Sequence, residues 1–155
     1  MKIAVVGDSH GKLQYIDEAM KTLEGIELVI HTGDHFSDLE YIQRKYNIKA
    51  LGVRGNCDAK GEAEIIEEIN GNRVFLCHGH QYNVKSNLHT IFYRGKEIGA
   101  DLVIFGHSHV PCYGKEEDMI LLNPGSISEP RGGSKRSLAI VEIEEEIKVS
   151  FIEFE

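Results

Sequence analysis

Hydrophobic positions along this chain change their spacing from one segment to the next. Ile3 to Val6 is a short apolar run suited to a strand buried on both faces, after which Leu13, Ile16, Met20 and Leu23 recur at helical spacing. Leu28 to Ile30 predicts a second buried strand. Ser37 followed by Glu40 is the signature of a capping box, and it predicts a helix with Leu39, Ile42 and Tyr46 on its apolar face. Ala50 to Val53 predicts a third strand. Strand and helix alternating in this way imply parallel strands joined by right-handed crossovers.

Beyond residue 60 the pattern turns mostly to strands. Glu64 to Ile69 and Arg73 to Cys77 flank Asn70-Gly71, a hairpin turn pair in which both residues tolerate positive φ. Ser86 to Ile98 predicts a helix weakened by Gly95, and Leu102 to Phe105 another buried strand. Met119 to Leu122, Leu138 to Ile143 and Ile147 to Phe154 predict three more, the last two joined by a solvated turn at Glu144 to Glu146. The expected architecture is α/β, with two sheets packed face to face and helices outside. No linker, repeat or low-complexity tract divides the 155 residues, so residues 1–155 are expected to form a single domain.

Composition narrows the function classes. The apolar share of 41% and charged share of 27% suit a globular protein. No apolar run approaches the roughly 20 residues of a membrane span. With a strand expected from Lys2 onward, a signal peptide has no room, and a cytoplasmic location is the expectation. Three cysteines without zinc-type spacing suggest neither a disulfide framework nor a thiolate site. A formal charge of −8 argues against broad nucleic-acid or lipid-surface binding, yet it allows an anionic substrate where bound cations dominate a cleft.

The polar residues fall at repeated places. Expected strands run into Gly7-Asp8-Ser9-His10, Gly33-Asp34, Gly55-Asn56-Cys57-Asp58, His78-Gly79-His80 and Gly106-His107-Ser108-His109. Ligands of open α/β sheets gather at the carboxyl ends of strands, so five such loops on one edge would converge. Imidazole with carboxylate suits manganese, iron, cobalt, nickel or zinc better than calcium or magnesium alone. Asp8 and His10 are spaced to chelate one ion, and a shared Asp34 could bridge two ions roughly 3.5–4 Å apart. Two divalent cations there outweigh the two carboxylates and a bridging hydroxide, leaving a positive centre within an acidic protein.

The succession GDSHG, GDH, GNCD, HGH and GHSH resembles the calcineurin-like metallophosphoesterases. GNCD, the short chain, Asn123-Pro124-Gly125-Ser126 and Pro130-Arg131 are similar to its small YfcE-like branch. The resemblance implies a four-layer α/β/β/α sandwich of two mixed sheets and a dinuclear centre. Asp8, His10 and His109 would hold one metal, Asn56, His78 and His107 the other, with Asp34 bridging. Manganese leads as the metal, with nickel, iron, cobalt or zinc as alternatives. Asn56 and His107 are carried over as catalytic groups as well. The implied reaction is in-line attack by a metal-bridging hydroxide on a phosphate ester, most simply a small phosphodiester. A phosphomonoesterase is the runner-up, and a non-catalytic scaffold like the retromer subunit of this fold is the rival class; a homo-oligomer is left open.

One position departs from the family pattern. Cys57 stands where many members carry a histidine thought to assist the leaving group, and a thiol substitutes poorly for imidazolium. Asp58 is read as a carboxylate that orients its neighbours. Arg131, after a proline in a Gly-rich loop, is either a substrate-phosphate contact or a surface arginine. His31 and His35 are read as packed or solvent-facing rather than ligating, His80 as a hydrogen-bonding neighbour, and His89 as a helix residue without a functional role.

Overall fold

The computed structural model describes residues 1–155. Alternation along the first strand, β1 (Lys2–Val6), decides the layering. Ile3 and Val5 point into a cluster of 15 buried residues, while Ala4 and Val6 point into a second cluster shared with helices. A strand apolar on both faces must lie between two packed layers. β1 is followed by α1 (Leu13–Lys21), β2 (Leu28–His31), α2 (Ser37–Tyr46) and β3 (Ala50–Gly52). The second half contributes β4 (Glu64–Ile69), β5 (Asn72–Cys77), α3 (His89–Ile98), β6 (Leu102–Ile104), β7 (Cys112–Glu116), β8 (Met119–Asn123), β9 (Arg136–Ile143) and β10 (Ile147–Phe154).

Ten strands form two five-stranded mixed sheets. The first has the order β10-β9-β1-β2-β3, with β1 parallel to β2 and β2 to β3; the second has β4-β5-β6-β8-β7, with β5 parallel to β6 and β6 to β8. Between the sheets lie Ile3, Val5, Leu28 and Ile30 from one and Val74, Leu76, Leu102 and Ile104 from the other. Each such side chain stabilises the fold by roughly 1.5–3 kcal/mol relative to exposure. The outer face of the first sheet packs on Ile16 and Ala19 of α1 and Leu39 and Ile42 of α2. Phe75, Val103 and Leu121 on the outer face of the second pack on Ile91 of α3. The result is the expected four-layer α/β/β/α sandwich. No helix is long and apolar enough to cross a membrane.

Three local expectations are corrected. The capping box does not form: Ser37 is already inside α2, and its hydroxyl meets His35 Nδ1 at 2.8 Å. The carboxylate of Asp58 takes over, accepting the Phe36 amide at 2.8 Å, and a full charge from a neighbouring loop outcompetes a local hydroxyl. Strand β7 was unforeseen because Cys112-Tyr113-Gly114-Lys115-Glu116 lacks apolar alternation; it is an edge strand paired only with β8, and Cys112 on it is half-buried. Helix α3 begins at His89, three residues later than its expected start, where the Asn87 side chain accepts the His89 amide.

Gly95 has a packing reason inside α3. A Cβ there would lie 2.7 Å from Met119 Sδ and 2.8 Å from Val103 Cγ2, both on buried strands. The helix therefore lies closer to its sheet than any side chain permits. Gly95→Ala is expected to lower stability by about 1–3 kcal/mol, despite the gain in helix propensity, as measured by urea unfolding.

Candidate metal centre

The loops after β1, β2, β3, β5 and β6 meet at one rim of the sandwich. Asp8, His10 and His109 bring one ligand atom each within 4.8 Å of one another, and Asp34, His78 and His107 do the same. The two groups touch through His78 Nε2, which lies 3.3 Å from Asp34 Oδ2 and 3.8 Å from Asp8 Oδ1. Each group draws residues from both sheets. Six of the seven residues read as ligands are thus brought together. Asn56 is exposed in the adjoining loop between Gly55 and Cys57, and the Cys57 amide donates to Asp34 Oδ1 at 3.0 Å.

The backbone is bent to achieve this. Asp8, His10, Asp34, His107 and His109 all adopt positive φ, between 49° and 71°. None is glycine, and the left-handed region costs such residues roughly 1–2 kcal/mol each. Hydrogen bonds hold the conformation. The Asp8 carbonyl accepts from Ser126 Oγ at 2.8 Å and Ser128 Oγ at 2.9 Å, and the His10 amide donates to the Asp34 carbonyl at 3.0 Å. Gly55 leaves room for this packing, since a Cβ there would fall 2.0 Å from Asp34 Oδ1.

Tautomers are set by backbone carbonyls. His78 Nδ1 donates to the Thr32 carbonyl at 2.8 Å, and His109 Nδ1 donates to the Glu129 carbonyl at 2.6 Å. Both rings therefore turn Nε2 inward, the arrangement that orients metal-ligating histidines. His10 Nε2 lies 3.3 Å from His109 Nε2, and His107 Nδ1 lies 3.2 Å from His78 Nε2. Asp8 is fully buried, and its Oδ1 has no hydrogen-bond partner. Burial raises the Asp8 pKa to about 7, against the pull of His78. Burial also opposes ionisation of Asp34, but hydrogen bonds from His78 and the Cys57 amide outweigh it and hold that carboxyl below its ordinary range. For His107, burial and then His78 push the pKa down to about 4. An unpartnered buried oxygen facing several inward imidazole nitrogens fits a cation.

A model of the calcineurin-like phosphoesterase superfamily domain matches residues 1–146. The chain belongs to that superfamily. It is 34% identical over 147 residues to YsnB of Bacillus subtilis, a probable metallophosphoesterase, covering 93% of this chain and 85% of the relative. Escherichia coli YfcE, named a phosphodiesterase, is 23% identical over 168 residues, covering 92% of this chain and 88% of that one. A crystal structure of a predicted phosphoesterase from Streptococcus pneumoniae superposes with a TM-score of 0.83 at 31% identity, covering 98% of this chain and 88% of that chain. The family and the YfcE-like kinship read from the motifs are both met.

Around this candidate site the other expected residues separate. Arg131 is exposed, and its amide donates to the His109 carbonyl at 3.2 Å, so its loop abuts the site. Cys57 is an exposed thiol, and His80 lies near the centre with its ring tilted to its neighbours, the ring centroids 5.4 Å from His78 and 6.0 Å from His107. Asp58 Oδ2 accepts the Asp34 amide at 2.9 Å and the Gly55 amide at 2.7 Å, the orienting part foreseen for it.

Residues that sequence reasoning passed over form a buried chain. His31 Nδ1 accepts the Gly33 amide at 3.0 Å, so its Nε2 donates to Ser9 Oγ at 2.8 Å. Ser9 Oγ donates to Asp38 Oδ2 at 2.6 Å, and that oxygen also accepts the Gly11 amide at 3.0 Å. The chain locks the Asp8–Gly11 loop to the end of β2 and the start of α2. Its one sequence signal was Ser9 between two ligand types. Burial lowers the His31 pKa to about 4 in spite of Asp38 and Asp58. A histidine neutral when folded and protonated when unfolded adds stability that is complete above its ordinary value of 6.5 and lost as pH falls towards 4. The urea midpoint of metal-free protein is therefore expected to fall less between pH 7 and 4.5 in His31→Gln than in the parent.

Proposed function

We propose that this protein is a dinuclear metal-dependent phosphodiesterase. The observation that carries the reading is Asp8 Oδ1, buried without a partner 3.5 Å from His109 Nε2 and 3.8 Å from His78 Nε2. Asp8, His10 and His109 would hold one divalent cation, and Asn56, His78 and His107 the other, with Asp34 between them. Imidazole and carboxylate donors suit manganese, with nickel, iron, cobalt or zinc as alternatives. Such ions, when bound, polarise a phosphoryl oxygen and lower the pKa of a coordinated water.

The chain's own residues supply orientation. Thr32 and Glu129 carbonyls fix the imidazole tautomers, and Asp58 anchors the Asp34 amide. Asn56, exposed in its loop, and His107, half-buried, would meet an approaching ester oxygen. Arg131 carries a guanidinium on the loop abutting His109 and would contact phosphate oxygens. The substrate is a small phosphate ester. A diester is favoured by the name of the YfcE relative. Burial and the Asp34 charge raise the Cys57 pKa, so the neutral thiol is a weak proton donor for a leaving group. Complete retention of the donor set speaks against a scaffold role, and the phosphomonoesterase alternative falls to a comparison of matched mono- and diesters.

Two measurements test the assignment. Asp34→Ala and His107→Ala are each expected to reduce manganese-dependent hydrolysis of bis(p-nitrophenyl) phosphate on the order of 100-fold or more, with circular dichroism unchanged. Full activity in both would overturn it. Asp8 gives an independent readout of metal. Its folded pKa lies above its ordinary value, so its contribution to metal-free stability is present below the ordinary carboxylate range and lost as pH rises through about 7. Asp8→Asn is therefore expected to melt higher than the parent at pH 8 without metal, and to lose the parent's rise in Tm with added manganese.

A further inference from the structure

Glu129 lies at the outer edge of the Asp8–His10–His109 group. Its backbone is pinned: the amide donates to Ser126 Oγ at 2.8 Å, and the carbonyl accepts His109 Nδ1 at 2.6 Å. Its side chain is less than half exposed and spans two groups. Oε2 lies 3.6 Å from His10 Nε2, while Oε1 lies 3.4 Å from Lys12 Nζ. The ion pair is thus a dipole with its negative end towards the candidate metal centre and its positive end outward. Lys12, at the start of α1, is itself placed by its amide bond to the Ser9 carbonyl at 3.1 Å.

We infer that the Glu129–Lys12 pair is a charge filter that selects monoanionic diesters over dianionic monoesters. The inference rests on the phosphoesterase reading and names its substrate class. A phosphodiester carries one negative charge, whereas a phosphomonoester carries close to two above its second pKa of roughly 6. A carboxylate fixed beside His10 repels a dianion about twice as strongly as a monoanion, and the repulsion grows where water is displaced. Arg131, whose amide meets the His109 carbonyl, attracts either ester and favours the dianion, so Glu129 opposes it. Lys12 weakens the filter without cancelling it, because it touches the oxygen remote from His10.

The test compares the parent, Glu129→Gln and Lys12→Met, each loaded with manganese at pH 8 and checked for metal content. Glu129→Gln is expected to raise kcat/KM for p-nitrophenyl phosphate relative to bis(p-nitrophenyl) phosphate on the order of fivefold, a half-exposed charge being partly screened. Lys12→Met is expected to shift the ratio the other way. Calorimetric titration with inorganic phosphate and with dimethyl phosphate should show the same two shifts in affinity ratio. An unmoved or inverted ratio in Glu129→Gln overturns the filter. So does loss of bound manganese in that variant, which would make Glu129 a ligand. If the parent turns over neither ester, the phosphodiesterase reading fails, and the two binding titrations alone decide the charge selection.

Discussion

The hydrogen bond from His78 Nδ1 to the Thr32 carbonyl, 2.8 Å long and fully buried, ties the end of β5 in one sheet to the end of β2 in the other. Everything at the rim depends on that junction. Asp8 and His10 follow a strand of the first sheet and His109 a strand of the second, yet they form one group. Asp34 likewise meets His78 and His107 across the gap. Sheets packed on an apolar interior could slide past each other by small amounts at little cost. A directed bond between the His78 ring and the opposite sheet sets their relative position and the ring's tautomer together.

The site is held at some expense to the rest of the fold. Five residues in left-handed backbone and a buried carboxyl displaced to about 7 are unfavourable in isolation. They persist because the surroundings leave no alternative. Two serine hydroxyls close on the Asp8 carbonyl, Asp58 gathers three amides from two loops, and Ser9 links His31 to Asp38. Each contact is worth only about 1 kcal/mol net, but breaking any one strands a buried polar group. Rigid donors suit phosphoryl chemistry, where electrostatic preorganisation matters more than adaptability.

Much of this was legible in one dimension. Strands buried on both faces announce themselves as continuous apolar runs, and β1, β2 and β6 appeared within a residue or two of their bounds. The ligand types stood out because each sits in a short glycine-containing loop directly after an expected strand. What escaped notice had no local signal. β7 is an edge strand that needs no alternation, and the Ser37–Glu40 pair was a sound local motif defeated by Asp58. His31 looked like any packed imidazole, because its partner Ser9 lies 22 residues away, and Asp38, the next member of the network, lies 29 residues from Ser9.

The sequence by itself determined the layers and the donor chemistry, because period-two burial and residue type are properties of short segments. Only the tertiary structure decided how closely the donors approach one another and which charge faces them. Glu129 became relevant solely because the loop before Pro130 folds back on Asp8 and sets its carboxylate beside His10. Such meetings join residues more than a hundred positions apart. They follow from how two sheets pack, and no window along the chain contains them.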